Sequence, residues 1–275
     1  MRIASLQNPQ IKEAVKLKNR RRRDETGLFL IEGYRELQRA VVGGWTLQKL
    51  FICPELFLGI NEPELITLIE SEKVAVLECS PSVFQKISYR DRPDGLIAVG
   101  VQRRDMLGVL STEMGENPLL VVAEGIEKPG NLGSILRSAD GVGADGMIVC
   151  DRCTDIYNPN VVRASVGTLF TLPVVEAKGV DTFTWLQDQE IQIVATSPSA
   201  ELEYTEADLR GPVAIVVGTE QIGLTEFWLS GADIKVSIPM EGVADSLNVA
   251  TATTLLLYEV HRQRKFGYPL ASDLL

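Results

Sequence analysis

One histidine, four cysteines and no apolar run near the length of a membrane span exclude several common chemistries for this 275-residue chain. Zinc sites draw on histidine and cysteine. Here Cys150 and Cys153 form a lone C-x-x-C beside a strand, His261 is the single histidine, and two further ligands are missing. The pair reads as incidental thiols at a strand end, and no metal is expected. Four cysteines in a chain of this length do not make a disulfide scaffold. A bilayer span needs roughly 20 consecutive apolar residues, so no membrane partner is expected. The N-terminus lacks the apolar stretch of a signal peptide, which points to the cytoplasm. The G-x-G-x-x-G fingerprint is also missing, which counts against a nicotinamide-dependent oxidoreductase.

Charge is present but unevenly spread. The net charge of −10 divides into +3 over residues 1–105 and −13 over residues 106–275. A basic appendage ahead of an acidic body fits a domain that grips a polyanion, even though the whole chain is acidic. The expected division is a first domain at 1–105, a linker at 106–117 and a second domain at 118–275.

Ser5 to Arg23 reads as one helix after Asn8-Pro9 with a cationic end. Lys18 and Arg20 to Arg23 form a run with no acid inside it. Such a run neutralises phosphates without reading sequence; a solvated helix face is the competing account. Arg20, Arg21, Arg22, Arg23 and Arg35 are candidate RNA contacts. Arg90-Asp91-Arg92 reads equally as RNA contact or as a turn with local ion pairs. The runs TGLFLIEGYRE, LQKLFIC, PELITLIES, VAVLECS, SVFQKI and GLIAVGV complete a small alternating α/β unit.

From Leu119 near-continuous apolar strands alternate with helices, the pattern of a parallel sheet covered on both faces. Strands are expected at 119–123, 146–150, 173–175, 191–196, 213–217 and 234–238. After the last of these, Pro239 and Gly242 stop the strand, Asp245 or Ser246 can cap, and a long helix follows. That helix carries Val249, Ala250, Ala252, Leu255, Leu256, Leu257 and Val260, too many apolar and small residues for one buried stripe. It is expected to seal a two-fold homodimer. Open α/β sheets bind ligands at the carboxyl ends of their strands, where the turns lie.

Three motifs occur in order, each after a strand: Asn131-Leu-Gly-Ser-Ile-Leu-Arg137, Gly218-Thr-Glu-Gln-Ile-Gly-Leu224, and Ile238-Pro-Met240 followed by Ser246-Leu-Asn-Val-Ala250 and Tyr258-Glu259. With these the stretch Leu119 to Arg264 resembles the SpoU (TrmH) family of the SPOUT superfamily, RNA ribose 2'-O-methyltransferases that use S-adenosylmethionine. The resemblance implies an α/β fold with a C-terminal trefoil knot, preceded by a ribosomal-protein-like RNA-binding domain. It implies catalytic roles for Asn131, Arg137, Glu220, Ser246 and Asn248, and a largely backbone-lined cofactor pocket at Thr196, Gly218, Ile238, Met240 and Leu247. It brings Asn158 to Gly167 into the family pattern, with Arg163 and Ser165 near RNA phosphate or the catalytic loop. The family's arginine has been read as a general base. Arginine stays protonated in proteins, so Arg137 reads here as an electrostatic stabiliser of the 2'-oxyanion. Thr219 stands where the family usually has asparagine. Ribosomal RNA is the expected substrate ahead of transfer RNA. A non-catalytic RNA-binding or ribosome-assembly factor of the same fold is the alternative.

Overall fold

In the computed structural model, which describes residues 2–151 and 153–266, the apolar runs close into two separate sheets. Strands β1 (Leu28–Glu32), β2 (Leu47–Ile52), β3 (Ala75–Glu78) and β4 (Leu96–Val101) order as β1-β4-β2-β3. The β1–β4 and β2–β4 pairs are antiparallel and β2–β3 is parallel. Side chains alternate across a strand, and β1 uses both faces. Leu30 packs into a core with Ile11, Ala14, Leu17, Phe51, Phe84 and Ile97. Phe29 packs in an aromatic cluster instead, 4.6 Å from the Tyr157 ring and 6.1 Å from Phe170. Residues Asp155–Thr171 therefore belong to the first compact unit with everything up to Arg103, while Arg104–Thr154 and the chain from Leu172 form the second.

The single helix expected within Ser5 to Arg23 is two helices, Pro9–Lys16 and Arg20–Thr26. Asn19 takes an extended backbone (φ −91°, ψ 130°) and its side chain accepts the Arg21 N–H at 2.9 Å, an N-cap that starts a new helix. Gly27 ends it in the left-handed region at φ 65°.

The second sheet contains β5 (Leu119–Glu124), β6 (Gly146–Cys150), β7 (Val174–Ala177), β8 (Gln192–Thr196), β9 (Leu202–Glu203), β10 (Val213–Val217) and β11 (Ile234–Ser237). Their order is β7-β6-β5-β10-β8-β11-β9, and every adjacent pair is parallel. The six expected strands are all present, shifted by at most a few residues. The two-residue β9 was not expected, since it is too short to leave a pattern. Strands β5 and β10 are fully buried, as a sheet covered on both faces requires. From β5 the chain first winds outward through β6 and β7, then crosses to the other side for β8 to β11. The switch point of the sheet thus lies between β5 and β10, and it is at the carboxyl ends there that open sheets of this kind bind ligands. Residues 267–275 of the expected catalytic domain lie outside the described residues.

The helix Val249–Phe266 closes this unit. Asn248, rather than Asp245 or Ser246, caps it: its Oδ1 accepts the Ala250 N–H at 3.0 Å. Thr253, Leu256, Leu257 and Val260 are buried, and Thr254 meets Ser138 of the helix Pro129–Gly141 hydroxyl to hydroxyl at 2.7 Å. Leu255 and Tyr258, one turn apart, remain 38% and 51% exposed. The four cysteines are free and buried. Burial pushes the Cys150 thiol up to about 12 and Cys153 to about 11, so neither forms a ready thiolate. Among the described residues no helix is long and apolar enough to cross a membrane.

Candidate active site

The loops after β5 and β10 meet at the switch point because two glycines let them. After β10 the chain turns back on itself: Thr219 and Gly223 exchange N–H···O bonds of 3.1 and 3.0 Å. A Cβ on Gly218 would lie 2.3 Å from the Gly223 backbone, so the hairpin closes only with glycine there. Gly125, at φ 67° after β5, lets Thr219 approach; its Cβ would meet the Thr219 methyl at 2.9 Å. Thr219 Oγ1 accepts the Ile222 N–H at 3.1 Å, so the hydroxyl that replaces the family's amide works inside the hairpin. Glu124, a carboxylate ending an otherwise apolar strand, accepts from the Thr225 N–H and hydroxyl, both at 2.8 Å, and pins the far side of the loop.

Glu220 at the hairpin tip gathers side chains from three strand ends. Its Oε1 accepts from Asn131 Nδ2 and from Asn248 Nδ2, each at 2.6 Å, and its Oε2 pairs with the Lys128 ammonium. Asn248 Nδ2 also reaches Asn131 Oδ1 at 3.2 Å. The Asn248 amide orientation is forced, because its Oδ1 already takes the helix N–H. One carboxylate thereby fixes two carboxamides. Hydrogen bonding from Lys128, ahead of that from Asn131 and Asn248, holds the Glu220 carboxyl below its usual range against the opposing effect of burial. The carboxylate is a permanent anion at neutral pH and serves as a clamp. Because its acidity is increased by folding, the clamp's contribution holds above the ordinary glutamate range and is lost as pH falls through the lowered value.

Asn131 is the third residue of the helix Pro129–Gly141 rather than its cap; Lys128 occupies the cap position without a side-chain bond to the helix. Lys128 was missed by sequence reasoning, although a lysine three residues before the motif asparagine lies within one helical turn of it. Arg137 and Ser246 stand apart from the cluster. Both are exposed, and the side chain of neither makes a hydrogen bond or ion pair among the described residues. Arg137 lies about 9 Å along its helix from Asn131 and about 120° around it. Thr196 ends β8, Gly218 follows β10, and Ile238, Met240 and Leu247 lie half-buried in the segment between β11 and the final helix. Backbone groups of residues 239–247 form no hydrogen bond within the protein among the described residues.

The expected RNA contacts divide by exposure. Arg35 and Arg163 are exposed and unpaired among the described residues, and Arg20 and Arg21 are exposed with Asp24 and Glu25 beside them at 3.7 and 2.9 Å. Such surface pairs are weak and exchange readily for phosphate. Arg22 bonds Glu13 at 2.7 Å, and Lys18 donates to the Ser88 and Lys86 carbonyls. Arg23 departs from expectation. It is 1% exposed and held by Asp155, with no surface to offer a polyanion. Ser165 is also interior, bonded to the Val162 carbonyl and the Gly167 N–H. Asn158 caps its helix by accepting the Asn160 N–H. Arg90 follows the ion-pair reading, with Glu36 at 2.6 Å and Asp94 at 3.4 Å.

A doubly covered parallel sheet with polar side chains clamped at its switch point defines an α/β protein whose ligand site lies at strand carboxyl ends. The chain belongs to the SpoU rRNA methylase family, which matches residues 118–258, and residues 8–98 match the MRM3-like substrate binding domain. A 23S rRNA (uridine(2479)-2'-O)-methyltransferase of Streptomyces viridochromogenes is 34% identical over 258 residues, 91% of this chain and 88% of that protein. The crystal structure of an RNA 2'-O ribose methyltransferase superimposes with a TM-score of 0.81 at 43% identity, covering 96% of this chain and 99% of that one. The AdoMet-bound rRNA methyltransferase from Sinorhizobium meliloti gives a TM-score of 0.87 at 31% identity, covering 96% and 98%.

Proposed function

We propose that this protein transfers a methyl group from S-adenosylmethionine to a ribose 2'-hydroxyl of RNA, with ribosomal RNA the substrate ahead of transfer RNA. The observation that carries the reading is the Glu220 clamp on Asn131 and Asn248 at the switch point of a SpoU-family sheet. The donor set suits the cofactor. Unpaired backbone groups of residues 239–247, beside half-buried Ile238, Met240 and Leu247, offer an adenine both hydrogen-bond partners and an apolar wall. Thr196 and Gly218 bound the same pocket, in a chain segment that this reading takes through a trefoil knot. When bound, the cofactor supplies an electrophilic methyl on a sulfonium.

The protein supplies position and charge. The fixed carboxamides of Asn131 and Asn248 hold the ribose, Arg137 stabilises the developing oxyanion, and Ser246 assists beside Asn248. Correct placement alone contributes on the order of 7–11 kcal/mol to such a reaction. Arg20, Arg21, Arg35 and Arg163 grip phosphate. The same reading places the protein in the cytoplasm. Methyl transfer from tritiated cofactor to ribosomal and transfer RNA, with mapping of 2'-O-methyl positions in cells with and without the gene, tests it. Labelling of neither RNA leaves the binding-factor alternative.

The protein acts as a homodimer through its C-terminal helix in this reading. Leu256 and Val260 are spent on the protein's own core, so the contact falls to Leu255 and Tyr258. Leu255→Asp with Tyr258→Asp should yield monomers in light scattering with an unchanged melting temperature and lost methylation. A monomeric, active wild type would remove the dimer.

A further inference from the structure

Tyr89 lies in the first unit, in the loop between the helix Pro81–Ile87 and β4, and it is 41% exposed. Backbone atoms alone cannot account for that share of a tyrosine, so part of the ring meets solvent. Exposed side chains normally rotate on a fast timescale; this one is tied at both ends. Its N–H donates to the buried Glu32 carboxylate at 2.7 Å, and its hydroxyl accepts Asn160 Nδ2 at 2.9 Å from the helix Pro159–Ala164. Glu32 also accepts the Ser88 hydroxyl, and Arg90 donates to the Glu32 carbonyl at 2.9 Å and the Glu36 carboxylate at 2.6 Å. The backbone is therefore fixed on both sides of the ring. Tyr89, Pro159, Val162 and Arg163 line a gap of about 10 Å3, room for one water at most, so no ligand enters there. The charge near the ring is mostly of one sign. Lys86 and Arg92, three residues to either side, and Arg163 are exposed, and their side chains make no hydrogen bond or ion pair among the described residues. Asp91 is the one acid between Lys86 and Arg92.

We propose that Tyr89 is the stacking platform for an unpaired base of the RNA, with Arg163 on the adjoining phosphate, an inference that rests on the RNA-substrate reading above. Every base has a π-face, so a fixed ring takes any of them, and cations beside the ring hold the backbone of the same strand. Single-stranded or looped RNA presents bases in this way, splayed from the helix. A ring already held in place loses little freedom when a base stacks on it, which favours the contact. The bond to Asn160 has a structural use as well, since it ties the loop to the start of the helix Pro159–Ala164. Removing the hydroxyl and removing the ring therefore have different consequences.

The test titrates the full-length protein by fluorescence anisotropy with a fluorescein-labelled single-stranded RNA, and with the same strand in a duplex. Tyr89→Leu should weaken single-strand binding about ten-fold and leave the duplex nearly unchanged, because paired bases are already stacked on one another. Tyr89→Phe loses the bond to Asn160 but keeps the ring, and should bind the single strand within about two-fold of wild type. Stacking carries no charge, so Tyr89→Leu should leave the salt dependence as it was, whereas Arg163→Gln should lower its slope by about 0.7. A loss in Tyr89→Phe equal to that in Tyr89→Leu assigns the effect to the Asn160 bond and overturns the platform. A duplex weakened as much as the single strand overturns it too. An unchanged slope in Arg163→Gln removes the phosphate contact. Wild type that binds neither RNA defeats the functional reading. Wild type that binds the single strand no better than Tyr89→Leu defeats only the platform.

Discussion

Arg137→Ala should lower methyl transfer by about 10²–10³-fold, equivalent to roughly 2.7–4 kcal/mol of transition-state stabilisation, while S-adenosylmethionine binds as before. The size is that of removing one charged donor, the role proposed for Arg137 against developing negative charge. The separation from binding follows from the proposed cofactor pocket, which uses backbone on other loops. The Arg137 side chain is exposed and bonds nothing among the described residues, so its loss has little folding consequence to confuse the result. Surface substitutions of this kind usually fall within about 0.5 kcal/mol. Glu220 is the instructive contrast, since removing it frees Lys128, Asn131 and Asn248 together. Calorimetry with the cofactor, thermal melting and tritium transfer to RNA measure the three quantities separately. Transfer near the wild-type rate would show that the guanidinium plays no part in the chemistry.

That division between a free arginine and a clamped cluster was only half legible in the sequence. The motif N-x-G-x-x-x-R marks both Asn131 and Arg137, yet spacing cannot say that one is locked to Glu220 and the other is not. Strands β5, β6 and β10 were plain because a doubly covered parallel strand is apolar throughout, whichever way its side chains point. The break at Asn19 was not, since an asparagine inside a cationic run can continue a helix or cap one, and only its extended backbone decides. Charge counting missed the partners of that run, and the burial of Arg23, for a related reason. The run Lys18 to Arg23 contains no acid, but Asp24 and Glu25 lie one helical turn from Arg20 and Arg21, and Asp155 is 132 residues from Arg23. Local partners could have been read from the i to i+4 spacing. The distant one could not, because it depends on residues Asp155–Thr171 joining the first unit.

That distant partner should dominate the stability of the first unit. Arg23 donates through Nε and Nη2 to Asp155 Oδ2 at 2.7 and 2.5 Å, and through Nη1 to the Leu17 and Lys18 carbonyls at 2.8 and 3.0 Å. Asp155 Oδ1 in turn accepts the Tyr157 N–H at 2.8 Å. Both side chains are almost wholly buried, at 2% and 8% exposure. Truncating one member of such a pair strands the other charge away from water and costs about 3–5 kcal/mol. Asp155→Ala should therefore lower the urea midpoint of the first unit sharply and loosen the Phe29, Tyr157 and Phe170 packing beside it. Arg23→Met combined with Asp155→Leu removes both charges and should recover most of the loss, since apolar replacement of a whole buried pair is often neutral. A large coupling in the double-mutant cycle would show that the bond, rather than either side chain's bulk, holds residues 155–171 in place. If Asp155→Ala costs less than about 1 kcal/mol, no more than a surface pair is worth, the aromatic packing alone carries that segment and the buried pair is incidental.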